Sequence, residues 1–266
     1  MKRRLRVFGR LFAINVSLTF VYRGDFLILQ LANVMVPVIS LLVWRAALAG
    51  GAELPVDAAY LDTYFVTVSA VTMLTSSWSA AFLSQSIRNG DLNRWLIRPA
   101  SNFLDGAANN LGEKAVKIVL LAPVIALVVA LLPGELNVPG RPLTWALFVL
   151  AIVFAAAIAF TFDIARAALA FWFEDVQGFH TALDLMGYVL SGAVVPLVLL
   201  PSALAGGLQW QPFRFMVSFP IEVLLDGVPG GPLFGFAQQL GWLVMMALLA
   251  GGIWRLGLRQ YAAAGA

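Results

Sequence analysis

The sequence predicts an all-α integral membrane protein with six transmembrane helices, and three observations carry that reading. The chain is 61% hydrophobic and only 12% charged, with a mean hydropathy of +0.88; a soluble domain carries about 25% charged residues. Six apolar runs approach the ~20 residues that cross a bilayer as a helix. Lysine and arginine gather in alternate loops. A surface this apolar is solvated by lipid, so the chain reads as a single transmembrane domain, 1–266. Cysteine is absent, which excludes disulfides, thiolate metal sites and a cysteine nucleophile.

Before the first run, Met1, Leu5, Phe8, Phe12 and Val16 recur at helical spacing, with Arg3, Arg6, Arg10 and Ser17 on the other side. This predicts an amphipathic helix over 1–25 lying at the inner membrane interface, its basic face toward anionic lipid. Arg10 and Arg23 interrupt any continuous apolar core, so the arm is not expected to be a cleaved signal.

The first span is expected from Phe26 to Ala49, with Pro37 as a kink, and the second from Tyr60 to Leu83. The third runs from Ala115 to Leu132, and the fourth from Leu143 to Phe162 or beyond. The fifth covers Asp184 to Leu200 and the sixth Phe236 to Leu256. Lys2, Arg3, Arg4, Arg6, Arg10 and Arg23 precede span one. Arg88, Arg94, Arg98, Lys114 and Lys117 follow span two, and Arg255 and Arg259 close span six. The opposite loops hold Arg141 and Arg214 against Glu53, Asp57, Glu135, Glu222 and Asp226. The positive-inside rule sets both termini in the cytoplasm, as an even number of spans requires.

Between spans two and three lies "QSIRNGDLNRWLIRPAS", a charged stretch in an otherwise apolar chain. Asn89-Gly90 is a turn signal, and Asp91 is placed to cap a helix beginning at Leu92. Leu92, Trp95 and Leu96 fall on one face, Asn93, Arg94 and Arg98 elsewhere, and Pro99 ends the segment. The expectation is a two-turn helix with an exposed apolar ridge, too short to be stable alone and held by membrane or by a partner.

Other clusters have two readings. Ser69, Thr72, Ser76 and Ser79 share a face of span two, suited to lining a translocation path or to close helix packing. Asp163 and Arg166 stand three residues apart near the inner end of span four. A helix continuing straight to Phe173 would be about 46 Å long, so the pair is either submerged or, as we read it, an ion pair at the cytoplasmic boundary. His180, the lone histidine, lacks the further ligands a metal site needs, and Glu174 and Asp175 read as solvated loop charges. Residues 201–234 are too broken by proline and glycine for a span, yet "FRFMVSFPIEVLL" is too apolar for a free loop. A pair of short re-entrant helices fits, either gating an exit or covering the spans.

ATP chemistry is excluded from this chain. A P-loop needs G-x-x-x-x-G-K-[ST], and none of the lysines, Lys2, Lys114 and Lys117, follows a glycine.

The segment "IRNGDLNRWLIRPASNF" resembles the cytoplasmic-loop signature of ABC-2-type exporter permeases, "G-x-L-x-x-x-L-x-R-P", on Gly90, Leu92, Leu96, Arg98 and Pro99. "FVYRGDF" (Phe20 to Phe26), "LAFW" (Leu169 to Trp172) with "LSGAVVPLVLLP" (Leu190 to Pro201), and "QPFRFMVSFPIEVLLDG" (Gln211 to Gly227) match in the family's order. The resemblance implies a membrane subunit of a bacterial inner-membrane exporter. It would pair with an identical or homologous permease and be driven by two copies of a cytoplasmic ABC ATPase. ATP and Mg²⁺ would be bound by that ATPase, leaving this chain without a cofactor. It also implies that residues 84–101 form a cytoplasmic coupling loop whose short helix is the coupling helix, with Gly90, Asp91, Leu92, Arg94, Trp95, Leu96, Arg98 and Pro99 meeting the ATPase. The amphipathic arm would be the family's connecting helix. Membrane lipid is the remaining partner, and no nucleic acid is expected. An ion-gradient-driven carrier is the alternative; it predicts broken helices and buried carboxylates near the midplane.

Overall fold

The computed structural model describes residues 2–21, 23–93, 102–131 and 136–261, and every regular element among them is helical. Helix α1 spans Lys2–Val21 and α2 Arg23–Ala49, the latter running through Pro37 without interruption. Asp57 caps α3, Ala58–Thr75, its carboxylate accepting the Tyr60 N–H at 2.8 Å. After a three-residue break comes α4, Ser79–Arg88. Helix α5 covers Asn102–Leu131. Helix α6, Pro142–Ala167, starts on proline and tightens into a 3₁₀ turn over Ala168–Phe171. Then follow α7, Gln177–Leu190, the short α8, Ser202–Leu208, and α9, Ser218–Leu224, and the long α10, Pro232–Gln260.

Among the described residues, three stretches are long and apolar enough to cross a membrane: Ala58–Arg88, Pro142–Phe171 and Pro232–Gln260. A helix of about 30 residues is about 45 Å long, longer than a hydrocarbon core of ~30 Å. Val149 and Val153 on α6 and Val244 and Leu248 on α10 stay exposed, as suits helices solvated by lipid or by another apolar surface.

Helix α6 is the central member, packed on α10, α9, α4 and α3, while α1 lies along α5 and α2 along α3. Asn15 and Asn109 join α1 to α5 through a 2.9 Å hydrogen bond. The expected apolar face of the arm, Phe8, Phe12 and Val16, is half-buried, whereas Ile14, Leu18 and Val21 form an exposed apolar stripe.

The buried apolar residues fall into two main clusters. The larger joins Tyr64, Phe65 and Val68 of α3 to Ala151 and Ile158 of α6, Met246 of α10, and Phe215, Phe219 and Ile221. The second joins Ile87 of α4 and Leu92 to Ile164 and Ala165 of α6, Ala168, and Ala250 and Trp254 of α10. Helices α6 and α10 run through both clusters, α3 belongs to the first, and α4 to the second.

Two sequence expectations need correction. The second span, expected unbroken from Tyr60 to Leu83, is two helices, because Ser76 leaves the helical region at φ −54°, ψ 145°. Along α3 the hydroxyls of Thr67, Ser69, Thr72 and Thr75 each donate to the carbonyl four residues earlier, a contact that weakens and bends helices.

The helix expected over Asp184 to Leu200 as a fifth span begins earlier, at Gln177, and stops at Leu190 after 14 residues. Gly192 takes φ +85° there, and a Cβ on it would fall 2.0 Å from the Ser218 hydroxyl, so the turn demands glycine.

Residues 201–234 carry the two short helices α8 and α9, and their apolar part packs into the core against α3 and α6. Phe213, Phe215, Phe219 and Ile221 are buried. Arg214, 1% exposed, donates to both oxygens of Glu222 and, at 3.0 Å, to the Gln209 carbonyl. Its guanidinium also sits 5.1 Å from the Phe215 ring centre. Gln239 ties this region inward, donating to Ala151 O at 2.9 Å and Phe215 O at 3.2 Å.

Candidate functional site

A break inside a membrane-length helix exposes carbonyls at one helix end and N–H groups at the other, and in hydrocarbon each unpaired group is costly. The gap Ser76–Trp78 is closed by charges from two other helices. Lys114 of α5 donates to the Ser76 carbonyl at 2.9 Å and to Asn110 Oδ1 at 2.6 Å. Lys117, one turn on, reaches the Ser76 hydroxyl at 2.7 Å and pairs with Glu113. Both cations therefore meet the C-terminal end of α3, where the helix dipole favours positive charge.

The other side of the gap meets an anion. One oxygen of Asp163 on α6 accepts the Ala80 N–H at 3.2 Å, in the first turn of α4. Ser77 completes this end, its hydroxyl lying 3.2 Å from that of Ser79 and accepting the Ser79 N–H at 3.4 Å. Helix N-termini favour negative charge, so both ends of the break carry the favoured sign.

Asp163 is itself compensated. Its second oxygen pairs with Arg166, whose other terminal nitrogen pairs with Asp184 of α7. Asp163 and Arg166 are buried, while the Asp184 side chain is 59% exposed. The ion pair expected from sequence is present and is buried within the chain, beside α7 and the break in span two. His180 joins the same group, its Nε2 lying 3.4 Å from the Arg166 carbonyl, and the Phe162 ring centre lies 5.2 Å from the guanidinium. A buried charge group of this kind persists only when each member is paired.

Beside it opens a cavity of about 280 Å³ between α3, α6 and α7. Thr72, Ser76, Arg166, Asp184, Tyr188 and Phe213 supply its polar and aromatic wall. Of the four hydroxyl residues assigned to one face, Thr72 and Ser76 line this cavity. Ser69 is buried, its hydroxyl donating to Phe65 O of its own helix. Ser79 lies beyond the break and lines a different cavity of about 210 Å³, with Trp78, Phe82, Phe103 and Phe160. The break separates the expected face in two.

The charged stretch between α4 and α5 is described as far as Asn93. Gly90 has φ +77°, as the Asn-Gly turn requires, and its carbonyl accepts the Asn93 N–H at 3.3 Å. Asp91 lies in the turn itself. Leu92 corrects the expected exposed ridge: it is 0% exposed, inside the cluster with Ile164, Ala250 and Trp254. Its side chain anchors the turn to this chain instead of being offered to a partner. Arg94, Trp95, Leu96, Arg98 and Pro99 lie outside the described residues.

Sequence reading missed Lys114, Lys117 and Asp184 as members of one site. The available signals were two basic residues at i, i+3 near a span edge and the run "TSSWS" inside an apolar stretch. Among the described residues, no three His, Cys, Asp or Glu side chains are grouped to hold a metal ion.

Long apolar helices around a charge-compensated break and a polar cavity define a multi-pass membrane protein. Residues 55–265, from the approach to α3 to five residues past the end of α10, match the family model described as ABC-2 family transporter protein, and the chain belongs to that family. It is therefore a permease of an ABC transporter, a transport membrane subunit of the kind that associates with an ABC ATPase. No curated protein matches the chain.

Proposed function

We propose that this chain forms half of the translocation pathway of an ATP-driven exporter in a bacterial cytoplasmic membrane. The observation that carries the reading is the family match over residues 55–265 in a chain whose lysines fit no P-loop. The chain, one domain over 1–266, crosses the membrane six times with both termini in the cytoplasm. It pairs with an identical or homologous permease through apolar faces otherwise covered by lipid. Two ATPase copies bind ATP and Mg²⁺ and bias the permease pair between inward- and outward-facing states by their differential affinity for each. The segment 84–101 is the coupling element, and the Thr72–Ser76 cavity wall lies on the path. Residues 201–234 are the outer region, and α1 is the interfacial connecting helix. The chain performs no catalysis of its own.

The ion-gradient reading gains a specific observation, since a broken helix and a buried carboxylate are both present. Asp163 nevertheless binds Arg166 and the Ala80 N–H, so neither of its oxygens is left over for a coupling ion. Family membership also favours the ATP-driven reading.

The test is co-expression with the ATPase encoded beside this permease. The purified chain alone should hydrolyse no ATP, and the co-expressed pair should form a stable membrane complex that does. Hydrolysis by this chain after removal of every other subunit would sink the assignment.

A further inference from the structure

Two groups of buried ionic contacts among the described residues differ in their arrangement. Arg214 spends its guanidinium on Glu222 and the Gln209 carbonyl within residues 209–222, a closed set whose opening would strand a buried charge. The groups at the break in span two are arranged differently. Each comes from a neighbouring helix and holds one partner at the gap and another on its own helix. Lys114 has Ser76 O there and Asn110 at i−4. Lys117 has the Ser76 hydroxyl there and Glu113 at i−4. Asp163 has the Ala80 N–H there and Arg166 at i+3. Opening the gap would cost these groups their bonds there, but Lys117 and Asp163 would each keep an opposite charge and Lys114 its hydrogen bond to Asn110.

The surrounding core is divided at the same place. Helix α3 is packed in the cluster of Tyr64, Phe65 and Phe215, and α4 in the cluster of Ile87, Leu92 and Trp254. Three residues, Ser76 to Trp78, connect them. Leu92 couples the Asn89-Gly90 turn rigidly to the second cluster, so displacement of that turn is transmitted to α4. Thr72 and Ser76 on the near side of the gap, and Asp163 and Arg166 across it, wall the cavity of about 280 Å³. A change at the gap therefore changes the cavity.

We infer that the break between α3 and α4 is a joint through which movement of the 89–92 turn reaches the cavity, with Asp163 as the releasable cap on the first turn of α4. Asp163 is thus a positioning residue for transport, and this role rests on the ATPase-coupled reading proposed above.

The test uses the full complex of permease and ATPase in membrane vesicles, with Thr72→Cys as the only thiol of the permease. The labelling rate of that thiol by a membrane-impermeant maleimide is read without nucleotide and after trapping with ATP and vanadate, and scored per trapped nucleotide. In the otherwise unaltered chain the rate should change on trapping. Asp163→Ala should abolish that change. Asp163→Asn, which keeps a neutral acceptor for the Ala80 N–H, should retain it. A preserved change in Asp163→Ala would overturn the joint. Loss in Ala and Asn variants alike would trace the effect to charge balance and overturn it also. Should Asp163→Ala fail to assemble, loss in an assembled Asp163→Asn complex is the overturning result and retention the supporting one. If the unaltered chain itself shows no change on trapping, the coupled-exporter reading fails, and the joint with it.

Discussion

The Lys114 ammonium lies 2.9 Å from the carbonyl oxygen of Ser76, the residue at which α3 ends. A helix that stops inside a membrane leaves its last carbonyls with no water to accept from, and a buried lysine is equally badly placed alone. Each group removes the other's difficulty. Asn110 holds the lysine from within α5, so its direction is set before the contact is made.

Lys114→Ala should therefore destabilise the protein through the orphaned carbonyl, by about 1–3 kcal/mol. The loss is read as a lower unfolding midpoint in detergent. An unchanged midpoint would mean that water or another side chain satisfies Ser76, and that the break does not depend on α5.

Arg214 and Glu222 make a sharper case because the arginine is 1% exposed. Removing either partner alone leaves an unpaired buried charge, and about 3–5 kcal/mol is expected for Arg214→Met or Glu222→Leu. The double substitution should cost less than either single one. A thermodynamic cycle on the four proteins checks this, and strict additivity of the two losses would contradict the pairing.

Legibility in the sequence followed the range of each signal. The long apolar runs around Pro142 and Pro232 read correctly because hydropathy and length are local. The Asn89-Gly90 turn read correctly for the same reason, since φ +77° at Gly90 is a property of the dipeptide. The break at Ser76 did not, because hydropathy averages over the hydroxyl residues of "TSSWS" and hides them in an apolar window. The contact of Asp163 with Ala80 did not read at all, because the two are 83 residues apart and no periodicity links them. Leu92 read as exposed because a ridge pattern shows which residues share a face but not which surface that face meets.

The six-span reading is open to a direct measurement, made clean by the absence of native cysteine. Glu53, Asn89 and Gly207 are all exposed on the chain, so a thiol at any of them is sterically reachable. In intact cells a cysteine at Glu53 or Gly207 should react with an impermeant reagent, and one at Asn89 should not. Reaction at Asn89 from outside would reverse the topology and remove the coupling role of the segment that follows it.

Two neighbours in that segment separate folding from partner binding. Leu92 is wholly buried among this chain's own side chains. Leu92→Ala should therefore lower the stability of the permease itself, by about 2–5 kcal/mol for a leucine cavity in a packed core. Trp95, read from the sequence as the apolar anchor toward the ATPase, should behave in the opposite way. Trp95→Ala leaves that cavity unmade, and truncating a tryptophan anchor at an interface costs about 2–4 kcal/mol, or roughly 30- to 1,000-fold in affinity. Arg94→Glu, a charge reversal on the rim, should slow association more than it weakens the assembled complex. Unfolding midpoints and ATPase pull-downs at matched membrane levels distinguish the variants. Leu92→Ala should shift the midpoint, and Trp95→Ala should lose the ATPase with its midpoint intact. If Trp95→Ala recovers as much ATPase as the parent chain, the ridge lies on lipid, and the partner is seated elsewhere.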